Sequence, residues 1–249
     1  MTNTIPIVAL DVPTLAQAHK IVAQLDDECD FYKVGLELYS AEGPAIVQWL
    51  RGEGKQVFVD LKLHDIPNTV QSAARSVARL GASLLTVHAS GGAAMIAAAV
   101  QGAFEGSIDS AHRNKGSSSI TAHGCGILGV TVLTSMNATS LGEAWGRDGL
   151  DVAFEVTRLA GFVKKAGGLG VVCSGHELRP LKSAYGAELA ALVPGIRLAG
   201  GAVHDQQRTM TPSEAAGAGA DYLVLGRAVT AAPDPAEAMA AVWDALGAR

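Results

Sequence analysis

Cysteine is scarce in this chain: Cys29, Cys125 and Cys173 are the only three in 249 residues, far apart and without C-x-x-C spacing. Too few and too scattered for a disulfide scaffold or a zinc cage, they predict a reducing, cytosolic home. Positive charge is short as well. Lys plus Arg is 19 against 24 Asp plus Glu, a formal net charge of −5, whereas proteins that live on phosphate-backbone contacts are normally basic, so nucleic acid is not an expected partner. The longest purely apolar runs, such as 93–100, fall far below bilayer length. No basic segment precedes the apolar start of the chain, so neither a membrane span nor a cleaved signal is expected, and the protein reads as soluble. Apolar residues, at 49%, are plentiful. That content excludes disorder and suits one large barrel or two modest domains.

Short strand-like apolar runs alternate with longer amphipathic or Ala-rich stretches, the pattern of a parallel α/β fold. Strands are expected at 5–10, 31–34, 56–61, 84–87, 127–133, 170–173, 191–193 and 222–225. The runs at 31–34 and 191–193 are short enough to be helix ends. Helices are expected at 14–25, 41–51, 69–80, 93–100, 150–165, 176–184, 212–218 and 235–246. Thr211-Pro212 with Glu214, and Asp234-Pro235 with Glu237, read as N-caps followed by proline at the first helical position. Eight βα units in roughly 250 residues is the size of a TIM barrel, and the chain is read as a single (β/α)8 domain over 1–249. A doubly wound open sheet is the rival, because strand order is not written in one sequence. The Asn114–Ser119 tract, NKGSSS, reads as a surface loop.

Chemistry gathers where the apolar runs end. They lead in order to Asp11, Lys33, Asp60 with Lys62, His88, Thr134, Ser174, Gly195 with Arg197, and Gly226 with Arg227. In a parallel barrel these positions share the C-terminal rim, where active sites are built. Polar residues end strands everywhere, but charge after so many strands exceeds what loops need. The densest stretch is Val59-Asp60-Leu61-Lys62-Leu63-His64-Asp65-Ile66-Pro67. Strand alternation sends Asp60 and Lys62 to one side, with Asp65 in the following loop. A lysine between two carboxylates is held in its ammonium form, which suits proton delivery to a carbanion-like centre better than Schiff-base chemistry. The plainer alternative is a buried structural ion network.

The loops after strands seven and eight are the usual phosphate grip of such barrels, and here they carry Gly195 with Arg197 and Gly226 with Arg227. A phosphorylated small substrate is therefore expected. Residues 199–208, between them, form a glycine-bearing loop of the kind that closes over a ligand, or simply a mobile surface loop. His88 reads as a satisfied rim histidine before an acid or base, and His64 shares the side of Asp60 only if the strand continues past Lys62. No HxH or DxD cluster suggests a metal, and no GxGxxG follows the first strand, so neither metal nor dinucleotide cofactor is expected.

Asp60-Leu-Lys62-Leu-His-Asp65-Ile66-Pro-Asn-Thr69, together with Leu10-Asp11, Lys33-Val-Gly, Leu133-Thr134-Ser, Pro194-Gly-Ile-Arg197, Asp205-Gln206 and Gly226-Arg227, closely resembles the orotidine 5′-phosphate decarboxylase family. The DxKxxD core is shared with sugar-phosphate relatives, but the ordered set runs nearly the whole chain. The resemblance implies a TIM barrel acting as a homodimer, which converts orotidine monophosphate to uridine monophosphate without metal or organic cofactor. It implies that Asp11 and Lys33 hold ribose hydroxyls, that Lys62 protonates C6 and that Asp60 sits beside the departing carboxylate. Asp65, Ile66 and Thr69 would reach into the partner subunit's site. Thr134 would contact the pyrimidine, Gln206, next to Gln207, would link the lid to phosphate and base, and Arg227 with the Gly226 backbone would grip phosphate. Arg197 matches a ligand-binding position. The segment 113–126 is longer than in the shorter family members. Two other functions remain: a Mg²⁺-dependent phosphosugar lyase or aldolase, whose family carries an acidic residue where Lys33 stands, and a non-catalytic ligand-binding barrel.

Overall fold

Eight short strands frame the computed structural model, which describes residues 4–113, 124–198 and 210–248. They are β1 (Ile5–Ala9), β2 (Phe31–Val34), β3 (Gln56–Leu63), β4 (Leu84–His88), β5 (Gly126–Val130), β6 (Gly170–Val172), β7 (Ala190–Val193) and β8 (Tyr222–Leu225). Each pairs in parallel with its sequence neighbours, and β8 returns to β1 with Ile5 opposite Tyr222 and Val8 opposite Leu225. That closure decides for the barrel over the open sheet. The two runs short enough to be helix ends are strands β2 and β7.

Alternation divides the strand residues between two cores. Ile7, Phe31, Phe58, Leu84, Leu128, Leu192 and Val224 fill the barrel interior, which is packed with side chains and is not a pore. Val8, Tyr32, Val57, Val59 and Leu85 face outward and are buried in the core beneath the helices. Two residues further along several strands, the inward positions stop being apolar, and the functional site begins there.

The helical expectations fare unevenly. The capping signals are borne out. Thr211 accepts from the Glu214 amide with a reciprocal bond from the Thr211 amide to the Glu214 carboxylate, and Asp234 accepts from the amides of Ala236 and Glu237. The stretch expected as one helix over 41–51 is two, Leu36–Glu42 and Ala45–Gly52, because Gly43 at φ 62° and then Pro44 break the backbone ladder. The helix expected at 93–100 runs Gly92–Arg113, 22 residues. Its apolar period fades after Val100, but close packing on the helix Pro67–Arg79 sustains it. A Cβ at Gly102 would lie 2.1 Å from the Gln71 carbonyl oxygen, and one at Gly106 2.3 Å from that of Arg75, so glycine alone allows this approach. Glu105 and Asp109 then pair with Arg75 and Arg79 across the seam.

A helix not foreseen, Ala138–Trp145, starts on an Asn137–Ser140 capping box and stops at left-handed Gly146. Strand β5, expected to 133, ends at Val130 because its neighbours run out: Val130 is the last residue paired with both β4 and β6. The tract 114–119 lies outside the described residues.

Candidate active site

The C-terminal mouth of the barrel opens into a cavity of about 650 Å³. Among the residues expected from the sequence, Asp11, Lys33, Asp60, Lys62, Thr134, Arg197, Gly226 and Arg227 line it. Asp65, Ile66 and Thr69 do not: all three are exposed, at the start of the helix Pro67–Arg79, and Ile66 is 66% exposed. Gln206 lies outside the described residues, as does the loop 199–208.

Four charges form a row of alternating sign. Lys33, almost buried on β2, places Nζ 2.7 Å from Asp11 Oδ1 and 3.7 Å from Asp60 Oδ2. Lys62 Nζ lies 2.9 Å from each Asp60 oxygen. Gly35 leaves room for the first pair where it stands, since a Cβ there would lie 2.8 Å from Lys33 Nζ and 2.9 Å from Asp11 Oδ1 and would displace them. A strand-following glycine thus has a site role that its composition alone did not reveal.

Lys62 reaches the row by an irregularity of β3. Its φ is 52°, and the β3–β4 register shifts between Val59 and Leu63. Left-handed backbone in a non-glycine residue costs on the order of 1–2 kcal/mol and persists only where the surroundings fix it. Here the Lys62 amide donates to Thr86 Oγ1 at 2.9 Å, and that hydroxyl donates to Asp60 Oδ1 at 2.9 Å. Sequence reasoning missed Thr86. Its signal is a lone hydroxyl two residues above inward-facing Leu84 on β4.

Within one chain, Asp65 is not the second carboxylate beside Lys62. Its Oδ1 accepts from the Ile66 amide at 2.6 Å, and its side chain belongs to the exposed loop. Strand alternation ends in the left-handed turn at Lys62, and the following loop carries Asp65 away from the mouth. Burial on its own drives the Asp60 carboxyl up; Lys33, Lys62 and the hydrogen bonds from Lys62 and Thr86 together outweigh it and hold the group below the ordinary carboxylate range. Asp60 is therefore an anion at neutral pH. His88 is half-buried, with its ring 5.4 Å from that of exposed His64, and is absent from the cavity lining. Burial, with Lys62 and His64 nearby, lowers its pKa, so it is neutral at pH 7.

The other half of the mouth is built differently. Val130, Val172, Leu192 and Val224 give an apolar wall, with Thr134 at its edge. Gly195, in left-handed backbone at φ 81°, precedes Arg197, whose Nη1 donates to the Ile196 carbonyl at 2.9 Å. The Arg197 Nε is buried without a hydrogen-bond partner among the described residues. Exposed Arg227 follows Gly226 at the end of β8. The described residues contain no cluster of three or more His, Cys, Asp or Glu side chains able to hold a metal ion.

A structural ion network explains this row poorly, because buried ion pairs add little stability over apolar residues of the same size. The row also lines an open cavity, with Asp11 60% exposed. A closed parallel barrel with a preorganised charged row opposite paired glycine–arginine strand ends defines an enzyme of the TIM-barrel class. Comparison with known proteins narrows the class. Residues 4–242 match the model of the Orotidine 5'-phosphate decarboxylase / HUMPS family. The chain is 48% identical over 234 residues to the orotidine 5'-phosphate decarboxylase of Anaeromyxobacter dehalogenans, covering 94% of each chain. It is 45% identical over 236 residues to that of Moorella thermoacetica, covering 95% of this chain and 89% of the relative. The crystal structure of the Lactobacillus acidophilus orotidine 5'-phosphate decarboxylase superposes with a TM-score of 0.83 at 36% identity, over 97% of this chain and 98% of that one. This chain belongs to the orotidine 5'-phosphate decarboxylase family.

Proposed function

We propose that this protein decarboxylates orotidine 5′-monophosphate to uridine 5′-monophosphate in de novo pyrimidine biosynthesis. The observation that carries the reading is the Asp11–Lys33–Asp60–Lys62 row, with Lys62 Nζ 2.9 Å from Asp60, at the mouth of a family barrel. Breaking the C6–carboxylate bond releases CO₂ and leaves the electron pair on an sp² carbon with no π-system to receive it. The site must stabilise that charge and supply a proton. Lys62 does both, as a fixed cation beside C6 and as the donor that forms the new C–H bond. Asp60 faces the departing carboxylate, so the two negative groups separate as CO₂ leaves.

Asp11 and Lys33 hold the ribose hydroxyls, Thr134 meets the pyrimidine, and Arg227 with the Gly226 backbone grips the phosphate. Arg197 and Gln206 complete the ligand contacts. Phosphate binding far from C6 drives closure over the site and so raises turnover as well as affinity. The enzyme works in the cytosol as a homodimer, in which Asp65, Ile66 and Thr69 complete the neighbouring subunit's site; their exposure on one chain supports this. No metal takes part: Lys33 stands where the phosphosugar lyases carry an acidic residue, and its ammonium lies against both nearby carboxylates.

Ultraviolet absorbance following loss of orotidine monophosphate, with and without EDTA, tests the reading. Turnover that survives chelation is expected. Loss on chelation points to the lyase, and no turnover at all to a binding barrel. The shared site has its own test. Lys62→Ala and Asp65→Ala homodimers are each expected to be nearly inactive. Random subunit exchange makes about half of the dimers hybrid, each with one intact site of two, so activity returns to roughly a quarter of wild type. A flat result, with hybrids confirmed by mass spectrometry of differently tagged chains, would place Asp65 in its own subunit's site.

A further inference from the structure

Strand β3 does not run evenly beside β4. Phe58 pairs with Leu84 and Val59 with Leu85, but the next pair is Leu63 with Val87. Three residues of β3, Asp60, Leu61 and Lys62, therefore stand against a single residue of β4, Thr86. In that gap a side chain replaces the backbone ladder. The Thr86 hydroxyl accepts the Lys62 amide at 2.9 Å and donates to Asp60 Oδ1 at 2.9 Å. Thr86 is fully buried, so water has no access to substitute for either bond.

A hydroxyl has one proton to donate and lone pairs to accept with. Thr86 directs its proton to the carboxylate and a lone pair to the backbone of the lysine that the carboxylate faces. The first bond orients Asp60 so that both of its oxygens stand 2.9 Å from Lys62 Nζ. The second fixes Lys62 at φ 52°, from which its side chain returns to Asp60. We infer that Thr86 is a positioning residue of this site, its hydroxyl locking the Asp60 carboxylate and the Lys62 backbone into the one geometry from which Lys62 delivers its proton. This rests on the decarboxylase reading and deepens it. Thr86 is absent from the cavity lining and acts through Asp60 and Lys62.

Thr86→Val keeps the shape of the side chain and removes the hydroxyl, while Thr86→Ser keeps the hydroxyl and removes the methyl. Misplacing a reacting group by about 1 Å can lower a rate on the order of 10²-fold. Thr86→Val is therefore expected to reduce kcat by roughly 10- to 100-fold. The affinity for uridine monophosphate, read by calorimetry, should stay within about twofold, since the phosphate and ribose contacts are untouched. Thr86→Ser should restore most of the lost kcat. A merely structural role predicts a different pattern: Val, the better-packed replacement, would be active and Ser no better. Should Thr86→Val not fold, as judged by circular dichroism, Thr86→Ala is compared with Thr86→Ser in the same way. Wild-type kcat in the hydroxyl-free variant, equal losses in Ser and Val, or a loss confined to affinity would overturn this assignment alone. Absence of orotidine monophosphate turnover by the wild-type chain would overturn the decarboxylase reading, and the assignment with it.

Discussion

The two halves of the barrel mouth start from the same apolar layer and diverge one inward position later. Above Phe31, Phe58 and Leu84 stand Lys33, Asp60 and Thr86; above Leu128 and Leu192 stand Val130 and Pro194, and above Val224 stands Gly226. The first half is a tight polar network in which each group fixes the next. The second is apolar and glycine-bearing, with Arg197 in the segment after β7 and Arg227 at the first position of the short helix Arg227–Thr230. Charge stabilisation at a reacting carbon needs groups fixed in advance, because reorganisation during the reaction would cancel their benefit. Gripping a phosphate needs only enough donors within reach. On the proposed reading the first half serves the chemical step through Asp60 and Lys62 and also holds the ribose through Asp11 and Lys33, while the second holds base and phosphate. Substitutions at Lys62 and at Arg227 should then separate into a turnover loss and an affinity loss.

The largest separation is expected from Lys62→Ala. It removes a group that acts on charge present only in the transition state, so turnover should fall by at least ~10²- to 10³-fold while uridine monophosphate still binds. Steady-state kinetics alongside calorimetry checks it. More than about a tenth of wild-type turnover would show that Lys62 is not the donor.

Gly35→Ala attacks the same half without removing a charge. The new methyl would press on both Lys33 Nζ and Asp11 Oδ1, displacing the first pair of the row. A fall in kcat/KM on the order of 10²-fold is expected from a shift of about 1 Å. A crystal structure of the variant showing the Asp11–Lys33 pair intact, together with wild-type kinetics, would remove Gly35 from the site.

Arg227→Ala tests the gripping half. Loss of a charge-assisted contact costs about 1.5–3 kcal/mol, or roughly ten- to a hundredfold in affinity for the phosphorylated ligand. Binding of the phosphate-free nucleoside should be unchanged, and added guanidinium should restore part of the activity. Equal binding of orotidine monophosphate by variant and wild type would move the phosphate site elsewhere.

The smallest effect concerns pH. The folded-state pKa of Asp60 is depressed relative to the unfolded chain, so its contribution to stability is complete above the unfolded value near ~3.9 and is lost as pH falls through the lower folded value. Urea unfolding of the wild type and Asp60→Asn, compared from about pH 6 downward, should show a stability gap that narrows only below about pH 4. A gap that widens on acidification would contradict the sign.

Sequence alone determined the frame. Apolar runs of strand length at βα spacing anticipated all eight strands, and proline after a capping residue marked helix starts at Pro212 and Pro235. These signals are local: burial periodicity and caps act over a few residues. The strand ends also named the four charges that meet at the mouth, Asp11, Lys33, Asp60 and Lys62, because in a parallel barrel every strand points its C-terminal end to one rim. What the sequence left open depended on contacts distant along the chain. The helix Gly92–Arg113 outlasts its apolar period because Gly102 and Gly106 seat it against Gln71 and Arg75. Asp65, five residues from Asp60, parts from it because a left-handed residue and a register shift intervene. Thr86 looks ordinary in sequence, and Gly35 stands there only as the end of the Lys33-Val-Gly motif; the contacts of both appear only when the barrel sets β4 beside β3 and brings Asp11 to Lys33. Residue type and local period specify which groups can ionise, cap or bury, whereas which of them meet is decided by the register between strands, a property no single segment encodes.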